Sequence, residues 1–300
     1  MFCCMDPMRI IFLYLILLTG LISCEKSVRF DLDKQETKLV VEGTIETGTA
    51  PLFFLSRSLD FFSEINPEIL TGSFVRNAVV RVSNGTKTHQ LKEYGIPTPA
   101  GTIYYYSTDS SNLATAFIGE EGTSYSLEIT VEGKIYTANT TIPFHRKTVD
   151  SLWWRPSINN PDTNKVVMMA RVTDPPGFGN YIRFFNSTNG GPFNPGLNSV
   201  FDDQIVDGSA YDIEVEKGIN RNEEIDFETY SFFDRGDTVI LKFTNIDKAC
   251  FDFWRTMEYN YGSIGSPFAN PTRVLSNIKG GALGYFGGYS VQYDTLVIPK

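Results

Sequence analysis

The 300 residues contain two histidines and four cysteines, so triad, general-base and metal chemistry start from few candidates. His89 sits in a polar hairpin segment and His145 at a junction between strand-rich stretches, and each reads as a surface histidine rather than a base. No G-x-S-x-G elbow is present, because Tyr261-Gly-Ser-Ile-Gly-Ser266 lacks its spacing. Neither H-E-x-x-H nor paired-cysteine spacing occurs, which argues against zinc. Asp202-Asp203 with Asp207-Gly208 offers oxygen ligands of the kind Ca²⁺ takes, but not at EF-hand spacing, and such residues around a glycine turn read first as a solvated loop. The run Gly280-Gly-Ala-Leu-Gly-Tyr-Phe-Gly-Gly288 lacks the preceding strand and following helix of a phosphate cradle. Bulged or closely approaching strands are expected there, with Tyr285, Phe286 and Tyr289 packing where glycines leave room. No catalytic residue, metal ligand or cofactor is assigned, and the chain reads as a protein that is not an enzyme.

The one strong chemical signal is a thiol. Arg9 precedes an apolar run from Ile10 to Ile22 that ends in Ser23-Cys24. That run is too short to cross a bilayer as a helix and fits the apolar region of a signal peptide. Leu21-Ile-Ser-Cys24 resembles the bacterial lipobox, in which the cysteine is acylated and the leader, here residues 1–23, is removed. Each buried CH₂ contributes about 0.8 kcal/mol, so several acyl chains on Cys24 would anchor a folded domain durably where one myristoyl chain would not. Residues 24–36 then form a tether. Glu25 after the lipid site resembles the pattern of lipoproteins sent to an outer membrane, while the mixed signs of Glu25-Lys-Ser-Val-Arg29 leave the periplasmic and extracellular faces both open. With Cys3 and Cys4 discarded and Cys24 acylated, Cys250 is alone and no intramolecular disulfide can form.

The elements that would position any site are mostly strands. Aromatic residues make up 14% of the chain, with 23 Phe and 15 Tyr, which favours strands. Tyr125, Leu127, Ile129 and Val131 alternate with polar neighbours before Glu132-Gly133, and Ala78, Val80 and Val82 alternate before Asn84-Gly85, so two hairpins are expected. Pro143 marks a junction, since proline cannot donate to a central ladder. The fold class is therefore mainly β: a β-sandwich domain at 37–143 and a second sandwich-like β domain at 148–299. One amphipathic helix near 248–261 is expected in the second, with Asp247 as N-cap and an apolar stripe of Cys250, Phe253, Trp254, Met257 and Tyr261. Residues 186–198, rich in Gly, Pro and Asn, read as a long loop. On the strand Asp150-Ser-Leu-Trp-Trp154, Leu152 and Trp154 share one face and Trp153 takes the other. Trp153 is thus a candidate for contact with a sugar or partner protein, against the plainer reading of packing between domains.

The order of motifs resembles a known family. Leu39-Val-Val-Glu-Gly43 opens the first domain, and Asn77-Ala-Val-Val-Arg-Val82 resembles a strand of carboxypeptidase-regulatory and transthyretin-like sandwiches. Gly122-Thr-Ser-Tyr-Ser-Leu127, Tyr136-Thr-Ala-Asn-Thr-Thr-Ile-Pro143, Ser266-Pro-Phe-Ala-Asn-Pro271 and Gly284-Tyr-Phe-Gly287 continue the match. Together with the lipobox they resemble the DUF4249 family of Bacteroidota lipoproteins over nearly all of the mature chain. The resemblance implies an outer-membrane or cell-surface location and, as partner, a TonB-dependent receptor. It implies no reaction. Asp-Ser/Thr followed by an apolar residue recurs at Ser151, Thr238 and Thr295, and resembles the O-glycosylation acceptor of exported Bacteroidota proteins.

Charge closes off one class of partner. The net charge is −9 with no Lys/Arg-rich run, which excludes a phosphate-tracking nucleic-acid surface. The expected function is that of a lipid-anchored, non-catalytic accessory of a TonB-dependent transporter. The alternative is a surface module binding a glycan or other ligand through Trp153 or residues 186–198.

Overall fold

The computed structural model describes residues 36–59, 66–158, 160–263 and 272–300. Cys24, the leader 1–23 and the tether up to residue 35 lie outside the described residues. The strands in chain order begin with β1 (Leu39–Glu46), β2 (Leu52–Arg57), β3 (Val79–Ser83), β4 (Thr88–Gln90), β5 (Lys92–Thr98), β6 (Gly101–Ser107), β7 (Ser124–Val131) and β8 (Lys134–Thr141). They continue with β9 (Thr148–Pro156), β10 (Lys165–Thr173), β11 (Tyr181–Thr188), β12 (Asn194–Phe201), β13 (Ala210–Val215), β14 (Phe233–Asp234), β15 (Thr238–Ile246) and β16 (Leu283–Val297). Two α-helices join them, α1 (Pro67–Gly72) and α2 (Lys248–Ser263). Neither is long and apolar enough to cross a membrane.

The mainly β class holds, and its layers are arranged around one long sheet. Eight strands run in the order β12-β11-β15-β16-β1-β2-β6-β5. On its inner side lie two short sheets, β4-β3-β7-β8 and the group in which β10 pairs β9, β13 and β14. One core is closed by Val41, Phe53 and Phe286 of the long sheet against Val80, Leu127 and Ile129. The other is closed by Val239, Leu241 and Phe243 against Val166, Met168 and Val172. Each such fully buried side chain contributes about 1.5–3 kcal/mol.

The boundary between 143 and 148 separates the two short sheets but does not interrupt the long one. β1 pairs in parallel with β16, Val41 opposite Gly284 and Glu46 opposite Tyr289, so Thr37–Lys300 is one compact unit. This pairing leaves no periodic trace, because its partners lie at opposite ends of the chain. A glycine permits the approach: a Cβ on Gly284, whose φ is +96°, would fall 1.9 Å from Val41 O. Gly288 does the same for the end of β8, where a Cβ would fall 2.7 Å from Thr141 O.

Local chemistry explains where the remaining expectations hold or shift. Glu132 and Gly133 take φ values of 52° and 74°, the paired positive angles of a two-residue hairpin turn. Asn84-Gly85 instead forms a four-residue turn, because Asn84 Oδ1 accepts from the Thr86 and Lys87 amides at 3.1 and 2.8 Å. Residues 186–198 are not a long loop: Asn189 and Gly190, both at positive φ, turn β11 into the edge strand β12, where Pro195 and Gly196 are tolerated. Helix α1 was not expected. Pro67 opens it, and the Ile69 amide donates to Asn66 Oδ1 at 2.8 Å.

Helix α2 lies on the outer face of the long sheet. Asp247 caps it, Oδ1 accepting from the Cys250 amide at 2.8 Å, while Oδ2 accepts from Thr140 Oγ1 and the Thr141 amide at 2.7 and 3.0 Å. That one carboxylate ties the helix to the end of β8. Cys250, Phe251 and Phe253 pack on Ile246, Tyr285 and Tyr289. The buried stripe is rotated from the expected one: Met257 is 36% exposed, whereas Glu258 is buried. The cause is Ser199 of β12, whose amide and hydroxyl both donate to the carboxylate of Glu258 above it.

Candidate functional site

Strand alternation sends Ile182 and Phe184 of β11 into the core and Arg183 and Phe185 to the outer face. The same rule turns Lys242 of β15, Tyr285 and Tyr289 of β16, and Glu42 and Glu46 of β1 outward. These side chains floor a groove of about 410 Å³. Trp254 of α2 forms one wall; Phe193 and Asn194 at the start of β12, with Asn220 and Arg221, form the other.

The groove is charged on its floor and aromatic at its sides. Lys242 Nζ donates to both oxygens of Glu46, at 2.6 and 2.7 Å. The Arg183 guanidinium lies 3.3 Å from the Trp254 ring centre and 4.6 Å from that of Phe185. Its Nε donates to Ser199 Oγ at 3.2 Å, and Ser199 Oγ donates onward to Glu258 Oε1 at 2.5 Å. Glu258 Oε2 accepts from the Ser199 amide at 2.9 Å, and Arg221 pairs with Oε1 at 3.3 Å. A buried carboxylate that accepts these bonds explains why Glu258, and not Met257, faces inward. Glu42 is exposed, and the groove around its carboxyl raises its pKa by partial desolvation, with the charge of Arg183 pulling the other way.

A family model described as a domain of unknown function, DUF4249, matches residues 25–295. The chain belongs to the DUF4249 family. No curated protein matches it.

The residues singled out in this DUF4249 sequence are dispersed rather than gathered. Cys24 lies outside the described residues. Trp153 is half-buried on β9 opposite Met169, on the face away from the core that Leu152 and Trp154 pack against, and it does not line the groove. Ser151, Thr238 and Thr295 are exposed on strands. Ile240 pairs with Thr295 and Thr238 with Val297, which makes Thr238 and Thr295 diagonal neighbours on one face.

The other candidates are bound up in the fold. His89 is 1% exposed and not a surface residue: Nε2 accepts from the Asp109 amide at 3.0 Å, Nδ1 faces Thr115 Oγ1 at 2.9 Å, and burial lowers its pKa. His145 sits between Ser290 Oγ at 3.3 Å and Gln292 Oε1 at 3.0 Å. Cys250 is buried against Tyr289 Oη at 3.3 Å, and burial pushes its thiol up to about 12, so no thiolate nucleophile forms near neutral pH.

Asp203 and Asp207 do meet, with Asp174 as a third carboxylate, all within 4.8 Å. Lys147 already faces Asp174 at 3.2 Å, both fully buried, and Asp203 accepts from the Asn180 amide at 2.8 Å. The trio therefore reads as a loop clamp around a buried ion pair.

Sequence reasoning missed Arg183, Lys242, Glu42 and Glu46. The available signal was a charge at an alternate position inside an apolar strand, as in Tyr181-Ile-Arg-Phe-Phe185 and Val239-Ile-Leu-Lys-Phe243. Trp254 was visible but read as core.

Proposed function

We propose that this DUF4249 chain is a lipid-anchored accessory protein of the outer membrane, of the kind Bacteroidota carry, acting as a non-catalytic partner of a TonB-dependent transporter. The observation that carries this reading is the extent of the family match, which starts at residue 25, directly after Cys24. The lipobox-like Leu21–Cys24 lies ahead of the matched region, which supports reading residues 1–23 as leader, Cys24 as lipid site and 24–36 as tether. The engagement of His89, His145 and Cys250 in bonds within the fold supports a role without a catalytic step. Affinity purification of the native protein from solubilised membranes is expected to recover an outer-membrane barrel each time. Repeated recovery without any barrel would refute the partnership, and protease treatment of intact cells reports which membrane face the protein occupies.

A second reading, a surface module for a glycan or similar ligand, is favoured by the groove. The hairpin 186–198 supplies its wall through Phe193, Asn194 and Pro195. A glycan array is expected to yield binders that Phe193→Ala weakens. An array without binders removes this reading, and binders lost only on Trp153→Ala would move the site to β9.

A further inference from the structure

Arg183 differs from Lys147, the other fully buried cation of the described residues, and from Glu258. Lys147 has Asp174, and Glu258 has Arg221. Arg183 is 3% exposed and, although Glu42 feels its charge from across the floor, makes no ion pair or direct hydrogen bond with a carboxylate among the described residues. Its one hydrogen bond there is from Nε to Ser199 Oγ, so the Nη donors have no acceptor among them, and the side chain lines the groove. A guanidinium cannot shed its proton, and Glu42, the floor carboxylate that feels its charge, makes no hydrogen bond or ion pair with it, so the Nη donors stay costly to leave unmet. Even so, the fold holds this one in a fixed orientation: Trp254 covers one face, and the Glu258–Ser199 pair holds the Nε edge. A planar fork fixed in this way matches one carboxylate, bound through two parallel N–H donors.

We propose that the groove binds a saccharide bearing a carboxylate, a uronic acid residue, with the carboxylate on the free edge of Arg183. The proposal rests on the reading of the groove as a ligand site. Phe185 and the exposed ring of Phe193 give apolar faces for a sugar ring, and Asn194 and Asn220 give amides for its hydroxyls. A peptide is a poorer fit, because the groove lies on the face of the long sheet, where the backbone is already engaged in the ladder. A phosphate is also a poorer fit, because Lys242 is already paired with Glu46, Arg221 with Glu258, and Glu42 shares the floor.

The test is calorimetric titration of the full-length protein with a panel of oligouronates, the methyl esters of the same oligouronates, and short peptides with free C-termini. The acids are expected to bind about tenfold or more tighter than their esters, the worth of a charge-assisted bidentate pair. Arg183→Gln is expected to erase that difference. Should Arg183→Gln fail to fold, Glu42→Gln at the solvent-touching floor supplies the second arm. It removes a competing negative charge and is expected to tighten the acids while leaving the esters unchanged. Equal binding of acid and ester would overturn the carboxylate assignment and leave the groove reading standing. Binding of peptides without oligouronates would overturn the saccharide. No binding of any member of the panel would overturn the uronate proposal, while the glycan array decides the groove reading separately.

Discussion

Gly284→Ala probes the joint between the two ends of the chain. Gly284 pairs with Val41 in the parallel β1–β16 ladder at φ +96°, and an added Cβ would fall 1.9 Å from Val41 O and 2.8 Å from Val41 C. Alanine at that φ costs about 1–2 kcal/mol. The contact involves backbone, so relief requires β1 to part from β16 locally. That forfeits a ladder hydrogen bond of about 1 kcal/mol and loosens Val41, a fully buried side chain worth about 1.5–3 kcal/mol. The total is about 3.5–6 kcal/mol, or a fall in melting temperature of roughly 10 °C or more for a domain of this size. Gly133→Ala is the control: it has φ +74° and nothing within 4 Å of the added Cβ, so only conformational strain of about 1 kcal/mol is expected. Thermal unfolding followed by circular dichroism compares the two. If Gly284→Ala melts no lower than Gly133→Ala, the β1–β16 pairing and the single long sheet are refuted.

Three further outcomes follow from the buried polar groups. Lys147→Met strands Asp174, whose side chain is fully buried, and is expected to cost about 3–5 kcal/mol in urea denaturation, with part recovered when Asp174→Leu is added. His89 has its pKa lowered by burial from the usual 6.5, so the unfolded chain binds the proton more readily; stability should hold above about pH 6.5 and fall as the pH drops below it. His89→Gln should flatten that part of the profile in melts run from pH 7 to 5. Cys250 should resist iodoacetamide in the native protein and react fully in guanidinium, which mass spectrometry reads directly.

The strands were legible where one face is buried and the other wet, as in Tyr125–Val131, because burial writes a period of two into the sequence. The helix was legible for a related reason, and Asp247 marks its start in both sequence and structure. The glycine run at 280–288 also spoke clearly, as a place of close backbone approach. What stayed hidden is non-local. Nothing near Val41 records that Gly284 lies beside it. The groove is assembled from a few residues on each of β1, β11, β15 and β16, a helix and two connections, and no one stretch of sequence records their meeting. Arg183 carries no mark in its own strand beyond one charge among apolar residues, and Trp254 reads as one more core aromatic; the fold sets one on the other at 3.3 Å.

The lipid anchor is the claim on which the proposed location depends, and the intact mass of the native protein extracted from membranes tests it most directly. The account predicts a chain that begins at Cys24, carries the added mass of acyl chains, and loses both that mass and its membrane fractionation on Cys24→Ala. A native chain that keeps residues 1–23, or begins elsewhere without acyl mass, would contradict it.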